Sequence, residues 1–537
     1  MKLLVHDIIL PLGRTEEDLA RFAGRRLKIP PSQIFTIEVQ RRSLDCRKGR
    51  PPRWVHAIII EVPSHLAEKL LKQNRARVWK PEVVEVPQDR SDRRPVVVGT
   101  GPAGLFCAWR LVQGGAKPRI LERGPEVVER SKRWHRFIEG GEFDPECHLL
   151  FGEGGAGTYS DGKLYTRVQD PRVPEVLQVL VDHGAPEEIL VDGRPHVGSN
   201  LLPSIVKRMR VALEEQGARF YFEHRLVDLK IDEDADGRSI SKIVIEKDSE
   251  RFDWDVDALF LATGHSARDV YQMLAKHRVP MSQKPFQIGV RVEHPQQAID
   301  QMQYGDSAGH PQLPPADYSL VSKRSKDDLF SFCMCPGGEI LPSTEQAGYM
   351  CVNGASRYQR KSPWANSGFV ITLEPATFGD DTDPLAGILF QQKIEKAAFD
   401  AAGGDFSVPA LRLMDFLHGR ISKDLPDSSY PRKLTPTDLA EIFPPWILDP
   451  IRTGLADLAG RFREFAHPDA IITAPESRSS SPVRIDRHPE TFESSGLGRL
   501  FPLGEGAGFA GGILSAALDG MRAAENWMSN TSSIGQS

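Results

Sequence analysis

Cysteine is scarce in this sequence, and several other features are missing. Six cysteines in 537 residues form no disulfide-rich pattern, which favours a reducing, cytoplasmic environment. No apolar run approaches the roughly 18 residues that a membrane-spanning helix requires, and Lys2, His6 and Asp7 interrupt the N-terminus too early for a secretory signal. A net charge of -5 gives no reason to expect nucleic acid. No pairs of Cys and His have metal-ligand spacing, so we predict no metal site.

A glycine turn between two apolar segments is the clearest motif that is present. Val96–Val98 predict a short buried strand, which a turn, a helix and a second strand ending in Glu122 follow. In this pattern Gly99 permits the sharp turn, Gly101 lets a pyrophosphate approach the backbone, and Gly104 lets the helix pack against the strand. The helix N-terminus offers free N–H groups to phosphates, and the Glu122 carboxylate is placed to bind a ribose. The motif predicts a bound dinucleotide.

A second segment, some 400 residues later, changes the predicted dinucleotide from NAD to FAD. A short apolar strand at 500–503 delivers Glu505, which could bind ribityl hydroxyls. A glycine turn then opens a helix at Gly511, Gly512 and Ile513, whose N-terminus would stabilise negative charge on a reduced flavin. An NAD site does not need such a segment. No second complete Rossmann fingerprint, with strand, glycine turn and helix, is predicted, which argues against a separate NAD(P)H domain.

Two further stretches are predicted to border the cofactor. Residues 151–164 are so rich in glycine that backbone could approach a flat or phosphorylated ligand, although a flexible surface loop is the alternative. Residues 258–266 form a buried strand that ends in Ala262, Thr263 and Gly264. The predicted contacts to FAD are Gly99, Gly101, Pro102, Ala103, Gly104, Glu122, Arg123, Gly154, Gly155, Ser160, Val227, Thr263, Gly264, Gly504, Glu505, Gly511, Gly512 and Ile513.

The predicted fold is α/β, with a Rossmann-like FAD-binding domain that carries a β-meander and an inserted α+β substrate domain. Residues 1–90 precede it and alternate in the order βαββαβ, which predicts a ferredoxin-like domain. Its last strand is expected at 83–86, its first helix at 15–27 with Thr15 as N-cap, and a basic turn at 41–50. The FAD-binding domain is expected to comprise residues 91–282 and 481–537, with the substrate domain at 283–480 and a linker at 88–94.

Several motifs together resemble known flavoproteins. The glycine turn, Ala262-Thr263-Gly264 and residues 504–507 are similar to the glutathione-reductase-like two-domain class. Residues 43–48, 152–164, 289–295 and 331–338 resemble the bacterial family of uncharacterised FAD-dependent dehydrogenases, and this resemblance spans nearly the whole chain. It implies FAD and a family-specific C-terminal domain over about 283–480. Flavoproteins of this class often carry Asp where this chain has Glu505.

Five side chains are candidates for catalysis. Arg291 could clamp a substrate carboxylate, and His294 could act as acid or base. Cys333 and Cys335 could exchange a disulfide with flavin or attack a substrate as thiolates. Residues two apart in a strand share a face, however, and are commonly just packed. His265 follows a buried strand, where a lone histidine is more often structural.

The function predicted from these observations is hydride transfer between a small-molecule substrate and non-covalently bound FAD, with NAD(P)H as a candidate transient electron donor. One alternative is a flavin-dependent monooxygenase, which uses the same scaffold. Another is a non-catalytic FAD-holding protein whose basic N-terminal domain binds a partner.

Overall fold

The computed structural model describes residues 1–47, 49–89, 93–235, 237–380 and 382–532. Lys48 in the predicted basic turn and residues 90–92 in the predicted linker lie outside these described residues.

The first part of the chain forms an antiparallel sheet with two helices. Its elements, in the predicted order, are β1 (Lys2–Pro11), α1 (Leu19–Leu27), β2 (Thr36–Asp45), β3 (Arg53–Glu61), α2 (Ser64–Lys72) and β4 (Arg77–Val78). The strand order is β2-β3-β1-β4. Leu3, Val5, Ile8 and Leu10 of β1 are buried on one side of the sheet. A bulge between Val5 and Ile8 shifts the pairing register, so that Ile8 and Leu10 lie on the same side as Leu3 and Val5.

Two predictions for this part were wrong in detail. The last strand lies at Arg77–Val78, where it pairs with β1, and not at residues 83–86. Val83 is exposed, and Val86 instead packs against the core of the following domain. Thr15 makes no capping hydrogen bond, because a 3-10 turn at Glu16–Asp18 intervenes before α1 begins at Leu19.

A parallel five-stranded sheet follows, as predicted. The elements of this region are β5 (Val96–Val98), α3 (Pro102–Gln113), β6 (Arg119–Glu122), α4 (Val127–Ile138), α5 (Val173–Asp182), α6 (Leu202–Glu215), β7 (Arg219–Phe222), β8 (Arg225–Asp234), β9 (Gly237–Lys247), β10 (Glu250–Asp255), β11 (Leu259–Leu261), α7 (Arg268–Lys276) and β12 (Met281–Gln283). Strands β8, β9 and β10 form the predicted meander. Val97 belongs to the core on one face of the parallel sheet, and Val96 and Val98 to the core on the other.

A large insertion then builds a seven-stranded sheet of its own. Its elements are β13 (Phe286–Pro295), α8 (Gln296–Tyr304), β14 (Val321–Ser322), β15 (Leu329–Cys335), β16 (Gly338–Pro342), β17 (Val352–Ser356), β18 (Trp364–Leu373), α9 (Ala386–Ala401), β19 (Val408–Arg412), α10 (Leu413–Leu417), β20 (Leu434–Pro436), α11 (Pro445–Arg461) and β21 (Ile471–Glu476). The strand order is β14-β15-β18-β13-β21-β19-β20.

The last part of the chain returns to the parallel sheet. It consists of β22 (Val483–Ile485), β23 (Leu500–Pro502) and α12 (Ile513–Ser532). Strand β22 pairs with β12, so the insertion leaves and re-enters at neighbouring strands. Strand β23 adds to the edge of the parallel sheet, whose order becomes β23-β11-β5-β6-β7. Within the part of the chain that the structure describes, none of the helices has the length and apolar character to span a membrane.

Residues 42–46 of the predicted basic turn contact the rest of the molecule. The backbone N–H of Arg42 donates to the carbonyl of Val191, and Gly193 donates back to Arg42, both at 2.7 Å. Leu44 and Cys46 pack against the core of the inserted sheet. The N-terminal domain therefore contacts both of the other regions.

Candidate functional site

The glycine turn after β5 combines close packing with open space. A methyl group on Gly99 would lie 2.4 Å from the carbonyl oxygen of Ala262, and one on Gly104 would lie 1.9 Å from the carbonyl oxygen of Gly99. Gly99 also has φ +100, which glycine adopts readily. Gly101 has no other atoms within 4 Å of such a methyl group. At Gly99 and Gly104 the turn is therefore packed against the protein, whereas at Gly101, beside the N-terminus of α3, it is open.

Three separate segments meet at this opening. A methyl group on Gly155 would lie 3.0 Å from the Cα of Gly101. One on Gly157 would lie 3.5 Å from side-chain carbons of both Pro102 and Ile513. The glycine-rich loop thus lies against the starts of α3 and α12, the two helices whose N-termini were predicted to face the cofactor.

The two helices also pack tightly against each other. A methyl group on Gly520 in α12 would lie 2.1 Å from the carbonyl oxygen of Ala103 in α3. Asp519 accepts a 2.8 Å bond from the backbone N–H of Gly504 and pairs with Arg487. These contacts hold the turn before α12 in a fixed place beside the glycine turn.

A buried arginine fixes the glycine-rich loop. The guanidinium of Arg130, in α4, donates to five backbone carbonyls, those of His148, Leu149, Gly152, Glu153 and Gly155. Several glycines of this loop have positive φ, among them Gly154 and Gly155, and their approach to a ligand stays a prediction. Ser160 serves the loop itself, because its hydroxyl donates to Gly157 and accepts from Gly162.

Glu122 occupies the predicted place at the end of β6, but its carboxylate already has protein partners. It accepts bonds from the backbone and hydroxyl of Thr100, at 3.1 and 2.6 Å, and from the backbone N–H groups of Gly124 and Gly152, both at 3.0 Å. The side chain therefore ties the glycine turn to the glycine-rich loop. Its contact with a ribose stays a prediction.

Arg123 is likewise engaged by protein groups. Its guanidinium donates to Glu146 at 2.7 and 3.0 Å and to Asp269 at 3.0 Å, and it lies 4.1 Å from the centre of the Phe151 ring. Burial opposes ionisation, but these carboxylates raise the pKa of Arg123. Its predicted contact with FAD would require it to share or leave these partners.

Val227 lies at a break in the pairing of the meander. Leu226 pairs with Ile245 and Asp228 with Val244, so the register passes over Val227. A bulge of this kind leaves the bulged residue outside the regular ladder. This geometry is compatible with a backbone contact to a ligand.

The ends of β11 and β23 come together beside the same opening. A methyl group on Gly506 would lie 2.7 Å from the carbonyl oxygen of Gly264, and Gly264 itself has open space around it. Glu505 accepts a 3.1 Å bond from the backbone of Ser481. Its other carboxylate oxygen would lie 3.6 Å from a methyl group on Gly511. Burial raises the pKa of Glu505 to about 7.

The structure separates the five catalytic candidates into two groups. His294 is fully buried in the inserted domain, where its Nε2 lies 2.8 Å from the carbonyl oxygen of Phe465. His265 lies 3.1 Å from the carbonyl oxygen of Arg478, and burial together with Arg478 and Arg268 lowers its pKa to about 3. Neither histidine is brought to the two cysteines.

Arg291, Cys333 and Cys335 do lie together, with a partner that was not selected from the sequence. The Nη1 of Arg291 lies 3.4 Å from the carbonyl oxygen of Cys333. The ammonium of Lys163 lies 3.9 Å from the sulfur of Cys333 and 3.7 Å from that of Cys335. Lys163 ends the glycine-rich loop, so the loop joins the cofactor-side opening to the inserted domain.

Further charged groups surround this cluster. Arg291 pairs with Glu476 at 2.8 Å, and burial raises the pKa of Glu476 to about 7. Asp161 pairs with Lys163 at 3.3 Å and Arg360 at 3.0 Å. Asp161 and Lys163 could have been selected from the sequence, because they belong to the glycine-rich loop. Glu476 and Arg360 lie in no motif that points to a site. Among the described residues, no group of three or more His, Cys, Asp or Glu is arranged to hold a metal.

The geometry of the opening fits FAD. A pyrophosphate needs backbone without side chains and unpaired N–H groups at a helix N-terminus. The open space in front of Gly101 and the exposed Gly511 and Gly512 supply backbone without side chains at two helix starts. The N–H of Gly511 donates to the Ser515 hydroxyl at 3.2 Å, so a phosphate or flavin at α12 would be bound by the N–H groups beside it. The parallel sheet, the glycine turn and the second helix start define a dinucleotide-binding protein of the Rossmann class.

Comparison with known proteins agrees with this class. The family model "FAD-dependent protein, C-terminal domain-like" matches residues 285–479, and the model "NAD(P)-binding Rossmann-like domain" matches residues 97–156. An uncharacterised protein of Clostridium beijerinckii is 36% identical over 536 residues, which cover 98% of each chain. The chain therefore belongs to a family of FAD-dependent proteins with an NAD(P)-binding Rossmann-like domain, which it shares with the Clostridium beijerinckii protein.

Solved structures show weaker likeness. The structure of CtdE in complex with FAD is 10% identical with a TM-score of 0.32, over 83% of this chain and 93% of that one. A triple mutant of the flavin-dependent brominase Bmp2 is 13% identical with a TM-score of 0.36, over 81% of this chain and 80% of that one. At these values neither protein informs the assignment of an activity.

Proposed function

We propose that the protein is an FAD-dependent oxidoreductase of the dehydrogenase or reductase type. It holds FAD without a covalent bond and transfers hydride between FAD and a small-molecule substrate, with NAD(P)H as a transient electron donor. The observation that carries the proposal is the opening bounded by Gly101 and by the starts of α3 and α12. Two helix N-termini at one opening favour a ligand with negative charge at two places, as a flavin dinucleotide has.

The residues assigned to the cofactor divide by position around the opening. Gly101 and the start of α3 would hold the pyrophosphate, and Gly99 and Gly104 shape the turn behind it. Glu122, Arg123 and Val227 would hold the adenosine half, and the glycine-rich loop, the end of β11 and the start of α12 would hold the flavin. The full set is Gly99, Gly101, Pro102, Ala103, Gly104, Glu122, Arg123, Gly154, Gly155, Ser160, Val227, Thr263, Gly264, Gly504, Glu505, Gly511, Gly512 and Ile513.

When bound, the flavin supplies the two-electron chemistry, and the protein supplies orientation and charge. The N–H groups at the start of α12 stabilise negative charge at the opening. Glu505, with a pKa of about 7, can hold or release a proton there near neutral pH. Lys163, Arg291 and the two cysteines border the substrate side.

We further propose the division of the chain that this function requires. Residues 91–282 and 481–537 bind FAD, and residues 283–480 carry the substrate side. Residues 1–90 form a ferredoxin-like domain, which is supported by their βαββαβ order and the strand order β2-β3-β1-β4.

An anaerobic screen tests the proposed reaction. Purified protein carrying its flavin is mixed with NADH, NADPH and panels of reduced and oxidised metabolites, and the flavin absorbance is recorded. Bleaching by a donor and its reversal by an acceptor without oxygen support a dehydrogenase or reductase. Flavin that only oxygen reoxidises, with an aromatic substrate stimulating NAD(P)H consumption, points to the monooxygenase. Flavin that no donor bleaches contradicts an oxidoreductase.

A further inference from the structure

Two cysteines of strand β15 share one partly buried ammonium group. Lys163 Nζ lies 3.9 Å from Cys333 Sγ and 3.7 Å from Cys335 Sγ. Cys335 is buried and Cys333 is half-buried, and Cys335 Sγ lies 3.3 Å from the carbonyl oxygen of Cys333. The two thiols and their cation therefore form a compact group, in which Cys333 is the more exposed residue.

The backbone at this pair departs from a regular strand. Cys333 has φ +46, a backbone conformation that residues other than glycine rarely adopt. The pairing of β15 with β18 also shifts register between Phe332 and Cys335. Backbone in such sparsely populated conformations is found more often at functional positions.

Two cations lie beside the thiols, each in an ion pair with a carboxylate. Besides Lys163, the guanidinium of Arg291 lies 3.4 Å from the carbonyl oxygen of Cys333. The hydrogen bond from Cys335, followed by Lys163 and Arg291, holds the pKa of Cys333 well below the usual thiol range. Neighbouring negative charges are already paired, Asp161 with Lys163 and Arg360, and Glu476 with Arg291.

The other cysteines have a different environment. Burial raises the pKa of Cys46 to about 11 and that of Cys147 to about 12, and it also raises the pKa values of Cys107 and Cys351. Among the described residues, no lysine ammonium hydrogen-bonds any of these four sulfurs. A thiolate at neutral pH is thus favoured at Cys333 alone.

We propose that Cys333 and Cys335 are a redox-active dithiol whose substrate is a disulfide. The Cys333 thiolate attacks one sulfur of the substrate disulfide, a mixed disulfide forms, and one substrate thiolate leaves. Cys335 then loses its proton and attacks the Cys333 sulfur, which breaks the mixed disulfide and releases the second substrate thiolate. The enzyme pair has lost two electrons and gained one S–S bond, and the substrate disulfide has been reduced to two thiols.

One loop links the pair to the cofactor opening. Lys163 belongs to the same loop as Gly157, which lies against Pro102 and Ile513 at the cofactor opening. Reduction of the enzyme disulfide back to two thiols takes two electrons and two protons, which a reduced flavin can supply. This return step rests on the proposed function, whereas the exchange with the substrate disulfide does not.

A thiol titration of the full-length protein tests the exchange. The protein is equilibrated with a series of oxidised and reduced glutathione ratios, quenched with an alkylating reagent and digested with trypsin. The tryptic peptide 327–357 carries Cys333, Cys335 and also Cys351, so the titration is run in wild type and in Cys351→Ala. We expect Cys333 and Cys335 to become protected together, with loss of two hydrogens, along one two-electron curve. Alkylation of both at every ratio overturns the proposal.

Two variants examine the roles of the individual groups. In Cys333→Ser, Cys335 should no longer be protected as an internal disulfide. In Lys163→Met, the midpoint of the Cys333 alkylation rate against pH should move up by about one unit, because the thiolate loses its cation, while Lys163→Arg should keep the wild-type midpoint. The alkylation of Cys46 over the same pH range is the internal control, and an unchanged Cys333 midpoint in Lys163→Met contradicts the assigned cation.

The outcome is independent of the flavin result. Glutathione exchange needs no flavin, and bound flavin is recorded separately by its absorbance. A normal dithiol titration with flavin that no donor bleaches would contradict the proposed function alone. Bleachable flavin with two thiols that never pair would contradict the dithiol alone.

Discussion

Gly101 differs from its neighbouring glycines in what a side chain there would meet. Gly99 and Gly104 lie against backbone of the protein itself, whereas Gly101 faces open space. We therefore predict that Gly101→Val folds normally but loses FAD, because the valine occupies the place of the pyrophosphate. Flavin absorbance per protein, measured after purification beside the circular dichroism spectrum, checks this.

Matched glycine variants separate cofactor loss from misfolding. Gly104→Val should fail to fold or unfold at a much lower temperature, since its Cβ would lie 1.9 Å from the Gly99 oxygen. Gly460→Val, in an open position on α11, should keep both fold and flavin. Full flavin content in Gly101→Val would show that the pyrophosphate lies elsewhere.

Glu505 gives a prediction about pH. Burial raises its pKa from 4.5 to about 7, so the folded protein prefers its protonated form. As pH rises from about 4.5 to about 7, ionisation favours the unfolded chain, and wild type should lose stability relative to Glu505→Gln. Above about pH 7 the difference should stay constant. Urea denaturation of both proteins at several pH values measures it.

The control for Glu505 is an exposed carboxyl. Glu490→Gln changes the same chemical group at the surface, and its stability difference from wild type should not change over this range. A flat difference for Glu505→Gln as well would mean that the carboxyl is solvated in the folded protein.

Single residues also mark how far the sequence could predict the site. The tasks of Gly99 and Gly104 follow from the spacing of the motif alone, and the structure agrees with both. The partners of Glu122 could not be predicted, because Gly152 approaches it only through the loop that Arg130 holds. Lys163 is visible in the sequence, but its neighbours Cys333 and Cys335 are 170 and 172 residues away.

At the scale of elements, the glycine-rich loop depends on one arginine. The Arg130 guanidinium is buried and bonds five carbonyls between residues 148 and 155. In Arg130→Met these carbonyls lose their donor, and leaving a buried polar group unpaired costs about 1–3 kcal/mol. We predict a loss of roughly 3 kcal/mol or more in the free energy of unfolding, together with weaker FAD retention.

Urea denaturation and limited proteolysis check the role of Arg130. Cleavage in Arg130→Met should appear first within residues 148–165. Arg136→Met, at an exposed position on the same helix α4, should change stability by no more than about 0.5 kcal/mol. Equal effects of the two variants would contradict the role given to Arg130.

The elements predicted well are those with strong local signals. Buried valines, a glycine turn and a long amphipathic segment specify β5, α3 and α12, and the parallel sheet follows from them. The last strand of the first sheet was misplaced because its position is set by pairing with β1, which no local pattern shows. Val86, which suggested a strand at 83–86, instead packs against the core of the parallel-sheet region. The start of α1 was misplaced because a 3-10 turn takes up the acids that usually follow an N-cap.

At the scale of the whole molecule, a buried ion cluster joins the inserted domain to the parallel-sheet region. Arg268 in α7 pairs with Glu345 and with Glu395 in α9, both at 2.9 Å, and Arg478 also pairs with Glu395, at 2.7 Å. Burial alone would raise the pKa of Glu395, but the two guanidiniums lower it to about 2. The four charges come from distant parts of the chain, so no local pattern announces them.

Removing the central acid should loosen the whole molecule. We predict that Glu395→Ala lowers the free energy of unfolding by about 3–5 kcal/mol, because two buried guanidiniums lose a partner. Lys396→Ala, at the next and exposed position of the same helix, should have an effect within about 0.5 kcal/mol. Thermal and urea unfolding measure both, and a Glu395→Ala protein as stable as Lys396→Ala would contradict a cluster that supports the assembly.

The identity of the bound dinucleotide tests the account most directly. Protein purified without added cofactor is denatured, and the released chromophore is separated and identified by mass. The opening between Gly101 and the start of α12 predicts FAD, released intact and at about one molecule per chain when the site is filled. Release of NAD alone, or of no dinucleotide even after incubation with FAD, would contradict it.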